Sequence, residues 1–123
     1  MVARTWLAGL IAVAGLGLAC ASAPPPPEEI ADAEEAVAQA RARDAGTHAS
    51  ASLRKAEDKL AEAREAARED GDEKENRLKA RRLAEEAKVD AQLALAESER
   101  AQTQRDVDEL RQTLEALEQE VER

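Results

Sequence analysis

The sequence contains no phenylalanine and no tyrosine, and its only tryptophan is Trp6. A chain without aromatics lacks the side chains that bury the most area in a core, about 150–250 Å² each. Glycine is also scarce, with only Gly46 and Gly71 beyond residue 17, and the four prolines form one run at 24–27. That scarcity excludes a Gly-rich phosphate cradle. One cysteine and one histidine cannot supply a spaced Cys and His set for a metal ion, and nothing in the sequence calls for a cofactor. His48 lies beside Thr47, Ser50 and Ser52, but a catalytic serine and histidine need a rigid pocket and an orienting acid, which a short interhelical turn does not offer. No enzymatic activity is expected, and His48 is read as a solvated or turn-packing residue. The string Asp70-Gly71-Asp72-Glu73 does not make a calcium loop, because the sixth place is Glu75 and the twelfth is Arg81, where glycine and glutamate belong. Basic residues number 18 against 27 acids, a net charge of -9. Nucleic acid is therefore not an expected partner, since affinity for a phosphate backbone comes from clustered Lys and Arg.

What is present begins with a leader. Arg4 precedes an unbroken apolar stretch from Trp6 to Leu18, then come Ala19 and Cys20, the only cysteine. A bilayer-spanning helix needs about 20 apolar residues. The stretch is shorter, so residues 1–19 read as a cleaved signal peptide. A lone thiol where a signal peptidase would cut resembles the lipobox of bacterial lipoproteins. Ala19 matches that pattern, while Leu16 stands one place earlier than usual, with Gly17 at the customary leucine position. The resemblance implies that Cys20 is diacylated and anchors the protein to a membrane, because two acyl chains hold stably where one holds marginally. Residues 20–27 then form a lipidated cysteine followed by a proline spacer of about 3.1 Å per residue. Removal of the leader leaves no aromatic residue and a net charge of -10, with nine Leu, four Val and Ile30 as the only large aliphatics. An ordinary globular core cannot be filled from that set, given about 1.5–3 kcal/mol per buried aliphatic against the entropy of ordering the chain.

The residues that remain are strong helix formers with interleaved charge. The fold class expected is all-α, an antiparallel helical hairpin or three-helix array with a long C-terminal helix. The first helix is predicted over 28–44, with Ile30, Ala33, Val37 and Ala40 on one stripe and Gly46 as its stop. A second is predicted over 50–69, with Leu53, Ala56, Leu60, Ala63 and Ala67 on its stripe. The third is predicted over 73–123, opened by Asp72 as N-cap with Glu75 as its capping partner. Ala80, Leu83, Ala84, Ala87, Ala91 and Ala94 give it a face for close packing on the second helix. Pairs at helical spacing, Arg54 with Asp58, Arg81 with Glu85, Arg82 with Glu86 and Arg111 with Glu115, each add about 0.2–0.5 kcal/mol. Residues 28–101 are thus an Ala-rich helical domain, and 102–123 a coiled-coil-like extension. In that extension Val107, Leu110, Leu114, Leu117 and Val121 occupy heptad a and d positions, an expected seam for self-association or a protein partner. The frame runs back through Val89, Leu93 and Ala96, interrupted at Arg100 and Thr103.

Three strings carry a family resemblance: Cys20-Ala-Ser-Ala-Pro-Pro-Pro-Pro-Glu-Glu-Ile, Leu53-Arg-Lys-Ala-Glu-Asp-Lys-Leu-Ala-Glu-Ala and Arg82-Leu-Ala-Glu-Glu-Ala-Lys-Val-Asp-Ala-Gln-Leu-Ala. Together they resemble the bacterial lipoproteins of the domain of unknown function 4398 family, Ala-rich helical domains found alone or ahead of an OmpA-like peptidoglycan-binding domain. The resemblance implies a location and a shape but no reaction. His48-Ala49-Ser50 stands where that family would have a Tyr-Ala-Pro type of turn, and no OmpA-like module follows, so no motif supports a grip on peptidoglycan. A covalent link to the cell wall is not expected either, since the last residue is Arg123 rather than the lysine of the small coiled-coil lipoprotein that makes one. The expectation is a non-enzymatic scaffold or interaction module in the periplasm. Ala21 and Ser22 after the cysteine, with no Asp, point by analogy to the outer membrane. An envelope linker or a small-ligand-binding hairpin stands as the alternative.

Overall fold

Alanine dominates the seams between helices, and this decides how the chain packs. The computed structural model describes residues 27–123. It contains four helices: α1 (Glu28–Ala42), α2 (Ala45–His48), α3 (Ser50–Ala66) and α4 (Glu73–Val121), and no strand among the described residues. Of the eighteen core residues thirteen are alanine, and only Ile30, Val37, Leu53, Leu60 and Leu83 are larger. Small side chains let helix axes approach closely, so three helices bury a continuous seam with few large aliphatics. The stripes expected for the first and second helices are the buried ones, with Ala36 added on α1 and Ala66 on α3, while Ala67 packs at the edge of the core. The alanine face of α4 is buried as well, but it packs against α1 and α3 together rather than on one helix.

Cross-helix ion pairs show the topology. Glu29 meets Arg81 and Asp32 meets Lys88, so α1 runs alongside α4 in the same direction. Arg64 reaches Glu34, Arg41 reaches Glu57, and Lys59 reaches Glu86, so α3 runs against both. The arrangement is up, down, up. Residues 1–26, on which the readings of a signal peptide, a lipidated Cys20 and a proline spacer fall, lie outside the described residues.

The turns correct the sequence reading in detail. Gly46 does not stop α1; the chain leaves the helix at Arg43, and Asp44 takes the left-handed conformation at φ 57°. Aspartate is among the few residues that visit this region without glycine. Gly46 instead lies within α2, a short helix that the spacing did not reveal. The α3–α4 turn does need its glycine, because Gly71 has φ 141°. Asp72 caps α4 as expected, its Oδ1 accepting from the amides of Lys74 at 2.9 Å and Glu75 at 3.2 Å. Asn76 Nδ2 donates to the Glu69 carbonyl at 2.9 Å, closing the far side of the same turn.

Four predicted charge pairs fare unequally. Arg81 meets Glu85 at 3.0 Å, and Arg82 stands 3.8 Å from Glu86. Arg111 turns back to Asp108 at 3.5 Å rather than forward to Glu115, and Arg54 has no ion pair with Asp58 among the described residues. Both positions are at the surface, where solvent competes with such pairs.

Candidate interaction surface

The seam of α4 repeats at heptad spacing: Ala80, Ala84, Ala87, Ala91, Ala94 and Ser98 are buried at steps of four and three. Continued into the tail, the same frame falls on Ala101, Arg105 and Asp108. Val107 and Leu110 follow the last two by two residues, which at about 100° per residue turns them nearly half a revolution away. The aliphatic stripe of the tail therefore faces opposite to the side of α4 that holds the bundle. The partners of α4 end in the first turn of the tail, where the α1–α2–α3 corner is fastened to α4 at residues 98–105. Ser98 Oγ donates to the Arg43 carbonyl, and Gln102 Nε2 donates to the same oxygen at 3.0 Å. Arg105 Nη2 donates to Nδ1 of His48 at 2.9 Å.

Beyond that corner α4 continues alone for about 24 Å at 1.5 Å per residue. Val107 is half-buried; Leu110, Leu114, Leu117 and Val121 are 64%, 59%, 54% and 86% exposed. The five residues expected as a seam thus share one face, uncovered from Leu110 onward and partly covered at Val107. Val89 and Leu93, 63% and 49% exposed, carry the same frame onto the back of the bundle.

One charged cluster escaped the sequence reading. Asp90 is buried between α3 and α4, with Lys55 Nζ 3.2 Å from Oδ1 and Lys59 Nζ 2.8 Å from Oδ2. Lys59 stands at ion-pair distance but off a hydrogen-bonding direction, so Oδ2 has an electrostatic partner and no aligned donor. Burial pushes the carboxyl of Asp90 up in pKa, and Lys59 and Lys55 together outweigh that, holding it below the usual carboxylate range. Lys59 is held above its ordinary value by its contacts with Asp90 and then Glu86. The signal was present in the spacing, since residue 90 completes a step of three and four between Ala87 and Ala94. Ser98, four residues past Ala94, was legible in the same way.

The chemistry weighed at His48 is not assembled. Ser52 Oγ donates to Glu97 at 2.7 Å, away from the imidazole, whose Nδ1 is taken by Arg105. Among the described residues no group of three His, Cys, Asp or Glu side chains is placed to hold a metal ion, and no helix is long and apolar enough to cross a membrane. A surface cleft lined by Ala61, Arg64, Glu65, Arg68 and Glu69 is open to solvent, with four charged residues around a single alanine.

An all-α bundle seamed by alanine, with a helix projecting from it, is the class that these features define. The family described as Domain of unknown function (DUF4398) matches residues 28–110, and the chain belongs to it. No curated protein and no solved structure matches the chain.

Proposed function

We propose that this protein is a non-enzymatic lipoprotein of the cell envelope that holds a helical interaction surface away from the membrane carrying it. The observation that supports this reading most is the polarity of the bundle. Pro27 and Glu28, next to the cysteine and proline run, are at the Arg81 end of α4, and the uncovered tail is at the other. The tail stripe begins about 39 Å beyond Arg81 at 1.5 Å per residue. Anchored at Cys20, the body stands on its proline spacer and the stripe faces the periplasm far from the lipid. The pattern after the cysteine favours the outer membrane. Acidic charge at the start of α1, Glu28 and Glu29, suits both the helix dipole and a stand-off from anionic lipid.

Mass spectrometry of the mature N-terminal peptide tests the anchor. A diacylated or triacylated Cys20 at the new N-terminus is the expected result, with Cys20→Ser releasing the protein from the membrane fraction. An unmodified N-terminus elsewhere, or full membrane retention of the serine variant, contradicts it.

A further inference from the structure

The tail stripe needs an occupant, and the charges beside it narrow the choice. Residues 102–123 carry seven acids and three arginines, a net of -4. Six of those acids, all but Asp108, have no ion pair among the described residues. In the bundle some acids, Glu29, Asp32, Glu34, Glu57 and Glu86 among them, are paired across helices, and the tail has no such cross-helix pair among the described residues. In the heptad frame of the stripe, the positions flanking its apolar residues are Asp106, Arg111, Thr113, Glu118 and Glu120. The one base among them, Arg111, is already held by Asp108 at 3.5 Å.

We propose that the stripe Val107–Leu110–Leu114–Leu117–Val121 seats an amphipathic helix of another protein whose own flanking positions are basic. This inference rests on the interaction-module reading above and names the partner's chemistry. The shape follows from the spacing: five aliphatics at steps of three and four on a straight helix accept a second helix laid lengthwise, knobs into holes. Its charge follows from the flanks, because like charges beside a coiled-coil seam oppose pairing and opposite charges select the partner. A second copy of this chain would bring net -4 against net -4 and offer only Arg111 in return. The chain's own mature N-terminal segment cannot cover the stripe. Seven residues precede Glu28 after Cys20, and fully extended they span at most about 25 Å, short of the roughly 39 Å between Arg81 and Val107.

The test uses the mature protein purified from membranes in detergent and two synthetic three-heptad peptides with the same Leu and Val core, one with Lys and one with Glu at the flanking positions. The Lys-flanked peptide should bind at least tenfold more tightly, more weakly as salt rises, and at least tenfold less well to the Leu110→Asp, Leu117→Asp variant. That variant is more acidic than the parent, so unspecific charge attraction would move its affinity the other way. Circular dichroism checks that it remains folded, as substitutions at exposed positions should allow. Equal binding of both peptides, or unchanged binding by the variant, overturns the proposal. Sedimentation of the parent as a dimer that the double change makes monomeric also overturns it, while leaving the interaction-module reading in place. A monomer that binds neither peptide overturns both.

Discussion

At the scale of single residues, Asp90 is the position where the bundle departs from an apolar seam. A carboxylate 7% exposed between two helices persists because Lys55 and Lys59 approach from α3. Removing the charge takes from Lys55 its carboxylate partner and leaves Lys59 with Glu86 alone, so Asp90→Asn should cost about 1–2 kcal/mol at neutral pH. The sign of the pH dependence follows from the shifts. The pKa of Asp90 is depressed in the folded protein, so its contribution is present above the unfolded value near about 4 and is lost as pH falls through the lower folded value. Lys59 is raised, so its contribution holds below about 10.4 and fades as pH rises through the folded value. Thermal melts of the parent and Asp90→Asn from pH 2 to 11 should therefore diverge most between about 5 and 9 and converge in acid. A constant gap down to pH 2 would mean that the aspartate acts by its shape and not its charge. Ser98 and Gln102 belong to this scale too: both spend a side-chain donor on one carbonyl, that of Arg43, where α1 ends and its own ladder cannot reach.

At the scale of helices, the account depends on alanine being required rather than merely tolerated at the seams. Ala63 is fully buried on α3, whereas Glu65 two residues on is exposed. Ala63→Trp should overpack the seam by about 1–3 kcal/mol and lower the thermal midpoint followed by circular dichroism, whereas Glu65→Trp should leave it within experimental scatter. Equal effects would remove the packing argument. The helices and their buried faces were legible in the sequence because steps of three and four in Ala, Leu, Val and Ile are a local signal, and Asp72 was legible as a cap for the same reason. The end of α1 was not. A glycine three residues past the C-cap Arg43 drew the reading to Gly46, while Asp44 took the left-handed position, a choice set by how the corner packs on α4. The partner of Arg111 was likewise unreadable, since i,i+3 and i,i+4 pairings are nearly degenerate on an exposed helix. The tail seam was legible as a stripe. Its direction, opposite to the bundle, needed the register of the buried alanines in the structure.

At the scale of the whole molecule, the two ends of the bundle are unlike. One receives the chain from the cysteine and proline run; the other carries α4 onward as a single helix with an aliphatic face and acidic flanks. The proposed lipid anchor at the first end would turn that asymmetry into a distance from the membrane, with Gln119 about 50 Å farther out than Ala31, taking 1.5 Å of rise per residue of α4. Both positions are exposed. The most direct measurement is energy transfer from a fluorophore, placed by unnatural amino-acid incorporation at Ala31 or at Gln119 of the mature protein, to acceptor dyes on the headgroups of vesicles into which it has been reconstituted. The account predicts strong transfer from position 31 and little from position 119. Equal transfer from both, as from a rod lying along the lipid, or none from either, as from a protein that is not anchored, would contradict it.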